Sequence, residues 1–255
     1  MSVLQSVFAA FAMFSAFPTP KAEWSRENLR WLLCAFPLVG AAVGLLCWGW
    51  AALAELLRVP ALLRGAGLTL IPVLATGGVH LDGYADTWDA LSSHAPPEKK
   101  REILADPRLG AFAAIHLCGW FVMDFALWSA LPRYEAVPVL LAFCLSRSLS
   151  GLAIAAFPLA KNTGLAHTFA QAADERAARR FLAGLSALLC LGLFLCGWQG
   201  VVMAAAALGV FAYYRRMART QFGGLSGDLA GWFLQTAELW MLGALVFSQY
   251  VEGIL

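Results

Sequence analysis

Long apolar stretches separated by short polar ones dominate this chain. The hydrophobic runs cover approximately residues 2–17, 32–57, 61–76, 111–131, 136–160, 181–197, 198–214 and 231–251. The second, fourth, fifth and eighth runs reach the roughly 20 residues that a helix needs to cross a bilayer core. The first and third runs are shorter and are broken by prolines, so they fit either half-inserted segments or helices packed inside a bundle.

Composition strengthens the membrane interpretation. Hydrophobic residues make up 60% of the 255 residues, charged residues only 13%, and the mean hydropathy is +0.69. A soluble domain usually carries about 25% charged residues. No long linker, low-complexity segment or repeat interrupts the pattern. We therefore predict an all-α, polytopic bundle in the lipid bilayer, with about six to eight membrane segments in a single domain over residues 1–255.

The basic residues are distributed unevenly along the chain. The net charge of +2 gives no electrostatic footprint for nucleic acid. If segments 18–31, 77–110, 161–180 and 215–230 share one side, that side holds fourteen Lys and Arg residues, against three on the other and one mid-membrane. The positive-inside rule makes the basic side cytoplasmic. We expect a multi-pass membrane protein with its active site facing the cytoplasm.

One polar stretch stands out, TGGVHLDGYADTWDAL at residues 76–91. Asp82, Asp86 and Asp89 are spaced i, i+4, i+7, so a helix would present three carboxylates on one face. Like charges this close repel one another, and hard oxygen ligands suit Mg²⁺ or Mn²⁺. A solvated acidic loop is the alternative, although apolar residues alternate with the acids. We predict a metal site with catalytic Asp82, Asp86 and Asp89.

The same stretch contains further candidates. His80 fits three roles: a general base, a phosphate contact or a structural partner of Asp82. Gly77 and Gly78 would let the backbone approach a substrate closely. The segment continues into PPEKKREILADPRLGAF, where Pro96 and Pro97 open a short helix that runs through Leu104.

Asp106 and Arg108 lie where the next apolar run begins. A guanidinium supplies a planar fork for phosphate oxygens, and a neighbouring acid can hold that fork or a second metal. We predict a catalytic role for Arg108 and a substrate-binding role for Asp106.

A second polar constellation, RRMARTQFGGLSGDLAG, is predicted on the same side. Its glycine-rich loop opens onto a helix, which is a plausible phosphate cradle at a positive helix end. An ordinary capped loop is the alternative, because Ser and Asp favour such positions. The predicted substrate contacts are Gly223, Gly224, Ser226, Gly227 and Asp228, and Asp228 is also a predicted metal ligand.

Arg147, in LSRSLSG, is predicted near mid-membrane, as is Asp124 in the preceding run. An intramembrane arginine is a functional candidate by default. Two interpretations stay open, a structural pair with Asp124 or a contact with substrate phosphate. Lys161 and His167, in the polar loop KNTGLAHTF, are further candidates for contact with a substrate.

These motifs resemble the cobalamin synthase (adenosylcobinamide-GDP ribazoletransferase) family. GGVHLDGYADTWDAL followed by REILADPRLGAF carries most of the resemblance, FGGLSGDLAG is similar to the family's Gly-Gly-x-Ser/Thr-Gly-Asp-x-x-Gly motif, and FSAFPTP and FPLVGAAVGLL also agree. The chain departs from the family in having Ala16 where Arg is frequent. It also has Gln235 where an acid is common, with Glu238 one helical turn further on.

The resemblance implies an Mg²⁺-dependent transferase. α-Ribazole, or its 5′-phosphate, would attack the pyrophosphate of adenosylcobinamide-GDP, giving adenosylcobalamin or its 5′-phosphate and GMP. Two alternatives stay open: a membrane phosphotransferase acting on CDP-linked alcohols, and a cation transporter. The sequence is compatible with an oligomer and does not define one.

Overall fold

A computed structural model describes residues 2–21, 24–160 and 174–254, so Lys161 and His167 lie outside the described residues. In these ranges the chain forms eleven α-helices. They are α1 (Ser2–Phe14), α2 (Arg26–Leu29), α3 (Leu32–Leu56), α4 (Ala61–Thr76), α5 (Val79–Ser92), α6 (Pro97–Ile103), α7 (Ala111–Ala130), α8 (Ala136–Ala156), α9 (Glu175–Leu195), α10 (Trp198–Phe222) and α11 (Gly227–Glu252). The prediction of an all-α architecture is confirmed.

Six of these helices, α3, α7, α8, α9, α10 and α11, are each long and apolar enough to cross a membrane. The helix pair α4 and α5 would make a seventh span, but it is bent by 94° at its break. The 13-residue α1 is shorter than the apolar helices that can cross a bilayer. The bundle therefore agrees with the predicted polytopic membrane protein of six to eight segments.

Contacts between loops identify two opposite ends of the bundle. At one end, the Arg64 guanidinium at the start of α4 donates to the Leu131 carbonyl after α7, and Gln249 of α11 donates to the Arg133 carbonyl. At the other end, the Arg101 guanidinium in α6 donates to the Phe222 carbonyl at the end of α10. Because this second end gathers segments 24–31, 77–110, 174–180 and 215–230, we call it the basic end.

Small residues allow the central helices to pack closely. A Cβ added at Gly40 of α3 would lie within 2.3 Å of the Phe143 carbonyl oxygen of α8, and one at Gly44 within 2.8 Å of Leu140. Close backbone approach at small residues is a common way for membrane helices to associate. Further along, a Cβ added at Gly151 would lie 3.2 Å from the Leu33 carbonyl oxygen, so the end of α8 lies beside the start of α3, and both form one wall of the site described next.

Candidate active site

A sharp corner between α4 and α5 positions the acidic stretch. Gly77 and Gly78 adopt consecutive left-handed conformations, with φ of 64° and 76°, which cost glycine little. Beyond the corner, α5 crosses the first turns of α7 and α11 at the basic end, so it is not one of the six spanning helices. The two glycines thus reorient the chain, which is a backbone role different from the predicted contact with substrate.

Two further glycines bring α5 against α11. A Cβ at Gly83 would lie 2.7 Å from the Asp228 carbonyl oxygen, and one at Gly231 would lie 2.8 Å from the His80 carbonyl oxygen. Any larger side chain at either position would push the helices apart. This crossing therefore places the acidic motif of α5 directly against the Gly-Asp motif that begins α11.

The carboxylates gather around this crossing. Asp82 is exposed, whereas Asp86, Asp89 and Asp228 are half-buried. Partial burial, together with the negative charges of Asp82, Asp228 and Asp89, raises the pKa of Asp86 to about 6. Mutual repulsion of this kind shows that the four predicted acids share one electrostatic environment.

Asp89 differs from the other acids because it faces the start of α7. The Ala113 amide donates to Asp89 Oδ1 at 3.4 Å, and a Cβ at Gly110 would lie 2.0 Å from the same oxygen. A carboxylate at a helix N-terminus stabilises the unpaired amides and the helix dipole. Asp89 therefore has a structural task at α7 beside the catalytic and metal-binding roles predicted for it.

The crossing opens into a cavity of about 270 Å³, here called the crevice. Acidic and apolar side chains both line it, from α1, α3, α5, α8 and α11. The lining residues are Met13, Phe14, Phe36, Val79, His80, Asp82, Ser150, Ile154, Gly227, Asp228, Ala230, Gly231 and Leu234. Asp82 and Asp228, predicted from two distant motifs, thus lie in one crevice.

His80 is buried on the apolar side of the crevice. Only 5% of its surface is exposed, and burial lowers its pKa to about 3. Neither ring nitrogen has a hydrogen-bond partner among the described residues. Within the described residues His80 makes no hydrogen bond to Asp82, so the structure does not support His80 as a structural partner of Asp82. Its low basicity also disfavours the general-base role.

The glycine-rich loop before α11 uses some of its amides internally. The Gly224 amide donates to the Ala218 carbonyl, and the Leu225 amide donates to the Pro158 carbonyl. Ser226 caps α11 by accepting from the Leu229 amide at 3.3 Å. Gly223, with φ of 74°, ends α10, and Gly227 and Asp228 open α11. The loop is therefore a capped loop, as in the alternative interpretation. Because its amides at Gly224 and Leu225 are already bonded, any phosphate contact would be made by the first turn of α11.

Asp106 and Arg108 bind each other in the loop before α7. The Arg108 guanidinium donates to both Asp106 oxygens, at 2.9 and 2.7 Å, and this pairing lowers the pKa of Asp106 to about 2. The Arg108 side chain is 86% exposed. Asp106 thus orients the Arg108 guanidinium, as expected. The substrate contacts of both residues stay predictions.

Arg147 is fully buried in α8 and does not line the crevice. Its guanidinium pairs with the Glu238 carboxylate of α11 and donates to Ser146 Oγ at 3.0 Å, while Ser146 donates to Glu238 at 2.7 Å. The interpretation of Arg147 as one half of a structural ion pair is confirmed. The predicted partner, Asp124, was wrong, because the arginine pairs with Glu238. A contact between Arg147 and substrate has no support in this arrangement.

Sequence analysis missed the apolar lining of the crevice. Phe14, Phe36 and Ser150 come from three separate helices. Each lies in a stretch that the sequence analysis quoted, FSAFPTP, FPLVGAAVGLL and LSRSLSG. We used the first two only for the family resemblance and the third only for its arginine.

The acids fit a hard divalent cation by chemistry. No group of three or more His, Cys, Asp or Glu side chains in the described ranges is arranged to hold one metal ion. Mg²⁺ in enzymes usually keeps several waters and uses one or two carboxylates together with substrate phosphates. Asp82 and Asp228, which both line the crevice, can supply such a partial ligand set.

The sequence was compared with known proteins. It matches the family described as cobalamin-5-phosphate synthase over residues 6–246. An adenosylcobinamide-GDP ribazoletransferase of Lachnoclostridium phytofermentans is 38% identical, covering 98% of this chain and 97% of its own. Enzymes of the same name from Pseudomonas putida and Geobacillus kaustophilus are 36% and 31% identical, each covering 92% of this chain and 93% of their own. No solved structure matches the chain. With the two signature motifs meeting in one crevice of a membrane bundle, the chain belongs to the cobalamin-5-phosphate synthase family.

Proposed function

We propose that this protein transfers the adenosylcobinamide phosphate group of adenosylcobinamide-GDP to α-ribazole or its 5′-phosphate. The products are adenosylcobalamin, or its 5′-phosphate, and GMP. The names of the family and of its relatives support this reaction. It completes the nucleotide loop of cobalamin.

One observation carries the proposal beyond the names. The Gly83–Asp228 and Gly231–His80 contacts place two motifs, about 145 residues apart, on the two walls of one crevice. The negative charges of Asp82, Asp228 and Asp89 raise the pKa of Asp86, so these acids repel one another. Such an arrangement favours binding of a ligand that brings positive charge, or of phosphates together with their counter-ions.

The chemical step is a displacement at phosphorus. The ribose 3′-hydroxyl oxygen of α-ribazole forms a bond to the phosphorus that carries adenosylcobinamide, and the bond from that phosphorus to the bridging oxygen breaks. GMP leaves with the bridging oxygen, and the hydroxyl proton passes to a base. Asp86 suits the base role because its pKa of about 6 leaves it ionised near neutral pH and still able to accept a proton.

We further propose that Mg²⁺ acts with the acid cluster. Asp82 and Asp228, which both line the crevice, would hold it, with substrate oxygens and water completing its shell. When bound, Mg²⁺ neutralises charge that develops on the pyrophosphate oxygens. Around it, the first turn of α11 presents its positive end to the leaving GMP, and Arg108 provides an exposed guanidinium close in sequence to the Asp89 contact at Gly110.

We propose that the crevice faces the cytoplasm of a bacterium, in its inner membrane. The fourteen-to-three asymmetry of basic residues supports this orientation, because the crevice lies at the basic end. Single cysteines at Ser92 and Thr220, in a chain lacking its six native cysteines, should react with a membrane-impermeant reagent only after the cells are opened.

The reaction is tested with purified, detergent-solubilised full-length protein. Adenosylcobinamide-GDP, α-ribazole and Mg²⁺ are supplied together, and GMP release is followed with formation of the joined corrinoid product. We expect equal amounts of both products, and neither when either substrate is omitted. GMP release that is independent of α-ribazole would indicate simple hydrolysis and contradict the proposed transfer.

A further inference from the structure

The inner part of the crevice has the character of a binding site for a flat aromatic ring. The Phe14 and Phe36 rings lie 4.2 Å apart between centroids, and the His80 imidazole lies 5.8 Å from Phe36 and 6.4 Å from Phe14. Ile154 and Leu234 complete this apolar part. Aromatic side chains that line a cavity favour stacked or edge contacts with an aromatic ligand.

Two polar side chains lie in this part without a partner. His80 is 5% exposed and Ser150 is fully buried, and both line the crevice. Neither His80 ring nitrogen nor Ser150 Oγ makes a hydrogen bond within the described residues. Buried polar atoms are nearly always hydrogen-bonded, so an unsatisfied pair directed into one cavity indicates a ligand that satisfies it.

We propose that the inner crevice binds the benzimidazole base of α-ribazole, with Ser150 Oγ donating to its one free ring nitrogen and His80 in the same part of the crevice. This inference rests on the proposed function, since it assigns one part of one substrate to one part of the site. Ser150 acts here as a specificity-determining residue. It has no contact with the reacting phosphate in this assignment.

The chemistry distinguishes the base from the other ligand groups. α-Ribazole presents a flat ring with one free nitrogen and an otherwise apolar edge, which matches the single Ser150 hydroxyl among aromatic and aliphatic side chains. Guanine carries several donors and acceptors that this lining would leave unsatisfied. A cavity of about 270 Å³ lies near the lower limit of small-molecule sites and is too small for a corrin macrocycle.

The exposure gradient along the crevice gives the bound molecule a direction. Ser150 and Phe36 are buried at the inner end, whereas Asp82 is exposed and Asp228 is half-buried at the outer end. A base held at the inner end would direct its ribose toward the carboxylates. The 3′-hydroxyl would then reach the acids that are proposed to activate it.

The test uses a matched pair of serines on α8. Ser150→Ala removes the unpartnered hydroxyl, while Ser148→Ala removes one that bonds Ser186 at 2.9 Å, away from the crevice. A third variant, Ser150→Leu, fills the inner end. Equilibrium dialysis measures binding of free 5,6-dimethylbenzimidazole to each full-length protein, with guanosine as the competing probe, and steady-state kinetics give KM for both substrates.

We expect Ser150→Ala to raise the KM for α-ribazole about three- to tenfold, the scale of one hydrogen bond, and to leave the KM for adenosylcobinamide-GDP unchanged. Ser150→Leu should abolish saturable binding of the free base, and Ser148→Ala should alter neither measurement. Equal changes in both KM values, retained base binding in a stably folded Ser150→Leu, or stronger binding of guanosine would overturn the inference.

Failure of the proposed function is distinguishable from failure of this inference. Wild-type protein that binds the free base with the expected sensitivity to Ser150→Leu, but forms no joined product, would sustain the aromatic site and contradict the transferase proposal. If wild-type protein forms the product, but binding of the free base is unchanged by the serine variants, the reaction is supported and the assignment of the inner crevice is overturned.

Discussion

Two polar regions lie within this apolar bundle, and they differ in how their charges are compensated. Inside the membrane region, Arg147 pairs with Glu238, and Ser146 bonds both side chains. At the crossing of α5 and α11, the negative charges of Asp82, Asp228 and Asp89 raise the pKa of Asp86, so these acids repel one another. The first region satisfies itself, as a buried ion pair must. The second keeps its repulsion, which is typical of a site that binds a charged ligand.

Helix packing also differs between the two regions, because it is close around Arg147 and leaves a cavity at the crevice. Around Arg147, α8 packs closely on α3 through Gly40, whose added Cβ would meet the Phe143 carbonyl. Around the crevice, the close contact at Gly83 lies at one edge, and a cavity remains beside it. We interpret the inner network as part of the scaffold and the crevice as the reactive part. Four variants and one binding measurement test that division.

The largest effect is expected in the scaffold. Glu238→Gln would leave the buried Arg147 guanidinium uncompensated, at a cost of about 3–5 kcal/mol in the free energy of unfolding. The double variant Arg147→Met/Glu238→Leu should recover most of that loss, because no charge is left buried. Denaturation in mild detergent measures both. A single variant as stable as wild type would show that the pair does not support the fold.

The next effect is expected at the crossing of α5 and α11. A Cβ at Gly83 meets the Asp228 carbonyl oxygen, so Gly83→Ala must displace the helices that carry the acids. A displacement near 1 Å can cost roughly 100-fold in rate. Gly119→Ala in α7 is the matched control, since no atom lies within 4 Å of its added Cβ. Similar rates of GMP release in both variants would show that catalysis does not depend on the contact between Gly83 and Asp228.

A smaller effect is expected at Arg108. Its side chain is exposed and bonds only Asp106 within the described chain, so Arg108→Ala should leave stability unchanged. If the guanidinium contacts the pyrophosphate, the KM for adenosylcobinamide-GDP should rise roughly tenfold, with little change for α-ribazole. An equal rise in the KM values for both substrates would contradict a contact between Arg108 and the pyrophosphate.

The smallest effect concerns pH and metal-free stability. The pKa of Asp86 is about 6 in the folded protein, above its ordinary value of 3.8, so the folded state binds the proton more tightly. This contribution to stability is fully present below about pH 3.8 and is lost as pH rises through about 6. Asp86→Asn should therefore flatten the fall in melting temperature over that window in chelator-treated protein. An unchanged pH profile would show that Asp86 experiences no repulsion.

Much of this architecture follows from local sequence signals. Apolar runs of about 20 residues predict the spans, and the i, i+4, i+7 spacing predicts an acidic helical face, which α5 provides. Pro96 and Pro97 correctly predict α6, which ends at Ile103, one residue before the predicted end. These features depend on neighbours along the chain, which is why the sequence alone was sufficient to predict them.

Long-range pairings could not be predicted in this way. Glu238 meets Arg147 because of the rotation of α11 against α8, and the sequence offered Asp124 as an equally plausible partner. Phe14, Phe36 and Ser150 meet at the crevice because three helix ends converge there. Asp89 contacts α7 because Gly110 leaves room for its carboxylate. Each depends on side-chain directions that only the packed bundle defines.

The most direct test of the central claim measures Mn²⁺ binding by electron paramagnetic resonance. Wild type, the double variant Asp82→Asn/Asp86→Asn and the control Glu102→Gln, an exposed acid that pairs with Lys99, are titrated in the presence of GMP. We predict saturable Mn²⁺ binding in wild type and in the control, at least about tenfold weaker binding in the double variant, and a rate of GMP release in that variant reduced by about 100-fold or more. Mn²⁺ affinity and turnover in the double variant equal to those of wild type would contradict a metal-dependent active site at the crevice.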